Sequence, residues 1–412
     1  MNVTETDPGK AGFSADRLER ITTHLNSRYI DSSKIVGCQV LVARHGVPAY
    51  FRSFGLMDRE REKPMQDDTI FRIYSMTKPV TSIALMMLFE EGHFQLEDPV
   101  YRFIPAWRDH KVWIDGEGDA MVTREPGSPM TMRDVLSHTA GLTYGDLLYP
   151  PPRLHPVDQV YRQLEVSRAP GETVETFVDK LAQVPLRYEP GSAWMYSLAT
   201  DVCGCLVEII SGQPFADFLQ ERIFAPLGMV DTGFMVPPEK QARFAANYER
   251  KPDKSLRLID DPENSRYLSM PSFPSGGGGL VSTTADYARF CEMLRCGGEL
   301  AGQRIIGPRT LNLMHRNHLP GGSDLASMAI GAFSETAYDG IGFGLGFAST
   351  LDEVRAGTIG AGDFYWGGAA STIFWVDPLE DLYVVFMTQL MPSATFNFRG
   401  QLKNIIYGAI ET

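Results

Sequence analysis

Apolar positions along the chain follow two kinds of pattern, and the two are unevenly distributed. Leu18, Ile21 and Leu25 recur at helical spacing and predict a helix over 14–29. Residues 35–43 and 49–54 read as strands around the turn at 44–48. Near the other end, 371–376 and 382–387 read as a second hairpin across 377–381, and a helix is expected from about 398 to 407. Between these regions the pattern changes. Helical signals dominate at 75–91, 131–138, 199–211 and 214–224, separated by loops rich in Gly and Pro, and strand-like stretches are scarce between Gln66 and Met270. Thr131 with Asp134, and Thr283 with Asp286, have the spacing of capping boxes at helix starts.

Hairpins need partners to be stable, and chain ends commonly meet. The simplest arrangement is therefore an α/β chain of the α+β kind. An antiparallel sheet flanked by helices, built from 1–65 and 275–412, holds a mainly helical insertion, 66–274. No internal repeat is visible. Gly276–Gly279 leads directly into Leu280–Val281 and a capped helix, so it reads as a tight approach beside a site rather than a linker. Pro151-Pro152 and 251–274 read as long loops, suited equally to a pocket rim or an inert surface.

Composition narrows the function. A chain of 412 residues with 43% apolar and 22% charged residues can bury a large core, which excludes disorder as its main state. The formal net charge of -13 would repel nucleic acid and anionic lipid, and no Lys/Arg-rich run offsets it. Neither is expected as a partner. Five cysteines, an odd number, do not form a secreted disulfide framework, and Cys203 and Cys205 have no histidine nearby to complete a zinc site. They read as small buried side chains. The polar, acidic start of the chain lacks an apolar leader, and the apolar run from Ile83 to Phe89 is too short to span a bilayer. A cytoplasmic protein without membrane contact is the expectation, with its oligomeric state left open.

The segment with most chemistry is Ile73-Tyr74-Ser75-Met76-Thr77-Lys78-Pro79-Val80. Pro79 would clash with the carbonyl four residues back, so regular helix should begin close to Ser75. A serine there sits near unpaired N–H groups and the positive end of the helix dipole. A lysine three residues on comes round to the same side, and burial would favour the neutral amine that takes the serine proton. Taken alone, Ser-x-x-Lys is weak, since about one match is expected by chance in a chain this long. Two downstream segments strengthen it. Gly191-Ser192-Ala193-Trp194-Met195-Tyr196-Ser197-Leu198 places a tyrosine before an apolar helix, where its phenol could relay a proton or simply pack. Tyr365-Trp366-Gly367-Gly368-Ala369-Ala370 would leave strand backbone open to a ligand. There the Ala369 N–H, paired with that of Ser75, could bind an oxyanion; a glycine bulge in an edge strand is the structural alternative.

In this order and at these separations, the three segments resemble the serine β-lactamase and penicillin-binding-protein superfamily. The nearest likeness is to the class C β-lactamase-like carboxylesterases called family VIII. The resemblance runs from about Phe13 to the last helix and includes Leu136-Ser137-His138-Thr139-Ala140-Gly141-Leu142. It implies that superfamily's fold, with Ser75 as nucleophile, Lys78 as activating amine and Tyr196 as the phenol that shares the base role. It further implies an oxyanion hole of the Ser75 and Ala369 N–H groups, substrate contacts at Trp366, Gly367, Gly368 and Leu198, and neither metal nor cofactor. The departures point within the superfamily. Leu198 stands where β-lactamases carry an asparagine, and Trp366 where a cation reads a carboxylate, so smaller, less polar esters are favoured. A carboxylesterase for a small-molecule ester of short to medium acyl length is the first expectation. An acyltransferase using the same acyl-enzyme is the second, a weak β-lactamase or D-aminopeptidase the third, and a dead scaffold is disfavoured because all three catalytic residues remain. His138 is not expected in a Ser-His-Asp triad, since no Gly-x-Ser-x-Gly elbow is present, and reads instead as fixing the loop before Gly141. Asp98, Asp134 and Asp286 read as caps or surface groups. Tyr144, Tyr149, Trp194 and Trp366 hint at an apolar cleft.

Overall fold

A strand buried at every position needs cover on both faces, and that is how the central strand Gly37–Arg44 is used. In the computed structural model, which describes residues 6–147, 154–167, 169, 171–330 and 338–411, it lies inside an eight-stranded antiparallel sheet. The strands run, edge to edge, Ile341–Phe343, Ala348–Thr350, Phe364–Gly367, Ile373–Asp377, Leu382–Thr388, Gly37–Arg44, Val47–Asp58 and Lys63–Pro64. Leu41 and Ala43 face one core, with the helices Thr77–Glu90 and Thr284–Arg295. Val40 and Val42 face the other, with Leu18, Ile21 and Leu25 from the N-terminal helices and Leu402 and Ile406 from Phe398–Tyr407.

Both chain ends build this sheet. Gly37–Arg44 pairs with Val47–Asp58 on one side and Leu382–Thr388 on the other, in register from Cys38 opposite Thr388 to Arg44 opposite Leu382. The ends themselves meet, with the Ser14 N–H donating to the Ala409 carbonyl at 2.9 Å and the Glu411 N–H to that of Gly12 at 2.9 Å. The last helix spans Phe398–Tyr407, and the expected helix at 14–29 appears as Ala15–Leu18 and Arg20–Leu25 followed by a wider turn. The insertion is mainly helical, though less exclusively than expected. Short hairpin strands occur at Val112–Asp115 with Val122–Arg124 and at Asn247–Arg250 with Leu256–Asp260, and Ile70–Arg72 pairs with Val281–Thr283. These pairs are three to five residues long, too short for alternation to stand out in the sequence. The stretch 251–274, expected as loop, therefore contains a strand; Pro151-Pro152 lies outside the described residues.

Thr131 and Asp134 form a complete capping box. At the second site only half of one forms. Thr283 accepts from the Asp286 N–H, but the buried Asp286 carboxylate turns to the Asp231 N–H at 2.7 Å and the Thr232 hydroxyl at 2.9 Å. Asp286 is thus an interior tie between two segments rather than a surface group. Four cysteines are buried, Cys296 is exposed, and all five are free. No single helix among the described residues is long and apolar enough to cross a membrane.

Candidate active site

The chain reaches Ser75 through a tight, irregular step. Tyr74 takes a left-handed backbone with φ of 41°, strained for a bulky residue, and Tyr74–Met76 form a single 3-10 turn before regular helix starts at Thr77. Ser75 is left half-buried at the edge of the core, while Lys78, one turn on, is 1% exposed. The Lys78 Nζ donates to Ser75 Oγ at 3.1 Å and to the Gly277 carbonyl at 2.6 Å. A neutral amine in the same place would keep the Gly277 bond and turn its lone pair to the serine hydroxyl.

Tyr196 closes the other side. It is buried, with its ring centroid 4.5 Å from Lys78 Nζ, and its hydroxyl accepts from Trp366 Nε1 at 3.3 Å. Trp366, Tyr144 and Trp194 surround it, at centroid separations of 5.4, 5.2 and 6.2 Å. Burial, with Tyr196 and Asp201 beside it, pushes the Tyr144 phenol well above the usual tyrosine range and keeps it protonated. Three of the four expected cleft aromatics thus come together; Tyr149 lies outside the described residues.

Trp366 and Gly367 end the strand Phe364–Gly367, and the Gly368 N–H closes a turn onto the Thr372 carbonyl at 2.7 Å. Trp366, Gly367 and Ala369 are half-buried, as Ser75 is. Glycine at 368 is enforced by contact. A Cβ there would lie 2.3 Å from Thr372 Oγ1 and 2.4 Å from the Ile73 carbonyl, which leads into the Ser75 turn. Gly368→Ala is expected to wedge this strand off the Ser75 turn and lower kcat/KM by about a hundredfold, with the fold retained. Steady-state kinetics beside a melting curve will check it. Leu198 is placed differently from the rest. It is buried in the main core, and its N–H donates to the Thr143 carbonyl at 3.2 Å.

The tight approach expected at Gly276–Gly279 is found, and it brings in Asp201, a residue not read from the sequence. Gly276–Gly279 wraps tightly beside the lysine, and a Cβ on Gly277 would lie 2.4 Å from Asp201 Oδ2. The buried Asp201 carboxylate accepts from the Gly277 N–H at 3.0 Å and from Ser275 Oγ at 2.5 Å. Burial raises its pKa, and nearby Lys78 and these donors pull it back. An acid inside the apolar stretch Leu198–Leu206, with no basic residue in the same stretch, was the available signal. His138 is also buried, and burial together with Lys78 holds its imidazole well below the usual histidine range. Among the described residues no three His, Cys, Asp or Glu side chains gather as a metal-binding group.

A serine bonded to a buried lysine, with a tyrosine over that lysine and a glycine-rich strand end alongside, defines a serine hydrolase of the acyl-enzyme class. The chain belongs to the beta-lactamase family, whose description matches residues 19–405. Within it, the chain is related to the family VIII esterases and acyltransferases, and it shares the fold of penicillin-binding-protein homologues. It is 33% identical over 409 residues to Esterase EstB of Burkholderia gladioli, covering 94% of each chain. It is 28% identical over 403 residues to a monacolin J acid methylbutanoyltransferase of Aspergillus terreus, covering 93% of each. Among solved structures it resembles EstCE1, described as a hydrolase with promiscuous acyltransferase activity. The TM-score is 0.79 at 30% identity, over 95% of this chain and 99% of that one.

Proposed function

We propose that the protein takes an acyl group from a small carboxylic ester onto Ser75 and passes it to an alcohol as well as to water. The observation that carries this reading is the 3.1 Å bond from Lys78 Nζ to Ser75 Oγ, in a site where Tyr196 lies against the same amine. Ser75 Oγ attacks the ester carbonyl while its proton passes to Lys78. The N–H groups of Ser75 and Ala369 hold the oxyanion. The leaving alkoxide takes a proton from Tyr196 or Lys78, and an acyl-serine ester remains. Water or an alcohol, deprotonated by the same pair, then attacks that ester and frees Ser75.

Two features favour simple esters over β-lactams or D-alanyl peptides. Trp366, at the position where a cation would read a carboxylate, gives its N–H to Tyr196. Leu198 is sunk in the core and offers no amide. The transfer half of the reading is supported by the relatives, which include the Aspergillus transferase as well as esterases and the EstCE1 hydrolase.

Partition of the acyl group tests both halves. With p-nitrophenyl butyrate and rising concentrations of a bulky secondary alcohol, the new ester should grow at the expense of butyric acid. Release of p-nitrophenol should rise only if deacylation limits turnover. Acid as the sole product at every alcohol concentration would remove the transfer half. An absence of p-nitrophenol release would remove the ester reading itself.

A further inference from the structure

His138 sits at the centre of the loop cluster behind the phenol and touches it from three directions. Its carbonyl accepts from the Met195 N–H at 2.9 Å, and its Nδ1 lies 3.2 Å from Ser197 Oγ. The residues on both sides of Tyr196 are therefore bonded to one residue. The imidazole ring packs on the Tyr196 ring at a centroid distance of 5.1 Å, with Trp194 at 6.0 Å and Phe343 at 5.5 Å closing the cage. Its Nε2 lies 3.4 Å from Thr200 Oγ1, on the helix Ala199–Ser211 that follows the loop. To present carbonyl and ring in these directions the backbone adopts φ of 60°, the left-handed region that few side-chain-bearing residues enter.

We propose that His138 is the positioning residue of Tyr196, clamping Met195 and Ser197 so that the phenol stays fixed between Lys78 and Trp366. This rests on the role assigned to Tyr196 above. Ser75 is not among the partners of His138, whose hydrogen bonds go to Met195, Ser197, Thr200 and the Tyr188 hydroxyl. Of the site residues it is the Tyr196 ring that the imidazole packs against. One ring N–H and one lone pair suffice between the hydroxyls of Ser197 and Thr200, which suits an imidazole kept neutral by burial and by Lys78. A clamp on the tyrosine loop is added to the sequence-based expectation that His138 fixes the loop before Gly141 by hydrogen bonding.

The test is a set of substitutions read by kcat and KM separately. His138→Ala should lower kcat by about a hundredfold with KM within about twofold, because a phenol displaced by a fraction of an ångström loses its reaction geometry. His138→Asn should restore most of the loss, since asparagine tolerates the left-handed backbone and reaches Ser197 with its amide. It also covers the case in which the alanine variant folds poorly. The decisive measurement introduces His138→Asn and His138→Ala into a Tyr196→Phe background. If His138 acts through the phenol, neither changes the residual rate further; a merely structural role would lower it in both backgrounds. Retention of kcat by His138→Ala, or equal losses with and without the phenol, would overturn the inference. Full activity of Tyr196→Phe would instead remove the assignment of Tyr196 itself, a distinguishable failure.

Discussion

Ser75→Ala should lower kcat/KM toward p-nitrophenyl butyrate by at least about 10⁴-fold and abolish the acyl adduct seen by intact-protein mass spectrometry. The size of the effect follows from the geometry. Lys78 is buried with its amine on Ser75 Oγ and the Gly277 carbonyl, so the variant loses the hydroxyl that this amine is placed to deprotonate. The glycine-rich strand end can still polarise a carbonyl, and a residual rate above that in water should therefore persist, as expected when only the nucleophile is lost. Peptide mapping of the wild-type adduct adds the location. An adduct on another residue, or undiminished turnover by the variant, would place the chemistry elsewhere and dissolve the roles of Lys78 and Tyr196 together.

The second large effect lies outside the site and concerns stability. Asp363, just before the strand that carries Trp366, is paired with Lys403 of the last helix, and both side chains are shut away from solvent. Burial pushes the carboxyl up and the amine down, and each partner opposes the other's shift. Asp363→Ala removes one charge and leaves the other buried, with the Ile359 carbonyl at 3.0 Å as a neutral acceptor. The expected cost is about 3–5 kcal/mol of unfolding free energy, read from the urea midpoint. Asp363→Leu combined with Lys403→Met should recover most of it, because an apolar pair of similar volume carries no desolvation penalty. An unchanged midpoint in Asp363→Ala would mean that the ammonium is neutral or finds water, and that the pair does not hold the strand to the helix.

Much of this was legible in the sequence where a pattern had length or a sharp boundary. The helix Ala199–Ser211 is found at the expected limits because its apolar run ends at Gly212, whose left-handed backbone stops it. Pro79 located the start of the Ser75 helix to within two residues. The strand Val47–Asp58 extends beyond the expected 49–54 because its outer half alternates weakly and turns through Gly55. The pairing of Ser75 with Lys78 could be read because a spacing of three at a helix start brings the two side chains together. Contacts made across long separations could not. Nothing local says that Trp366 reaches Tyr196, that Gly277 would collide with Asp201, or that Arg399 donates to the Trp366 carbonyl at 3.0 Å.

The sheet made from both chain ends has a bearing on how the protein is born. On the ribosome, Gly37–Arg44 emerges early and can pair with Val47–Asp58, but its other edge must wait for Leu382–Thr388. The Thr388 hydroxyl finds the Gly37 carbonyl across 351 positions of sequence. Through most of synthesis that edge is an unsatisfied template for foreign strands, and topologies with such distant pairings fold slowly. A sheet edge that closes late is therefore written into the connectivity. So is an order of arrival, because Trp366–Ala369 follow Ser75 by most of the sheet's own span in sequence, and a nascent copy carries its serine before this strand end exists to lie behind it.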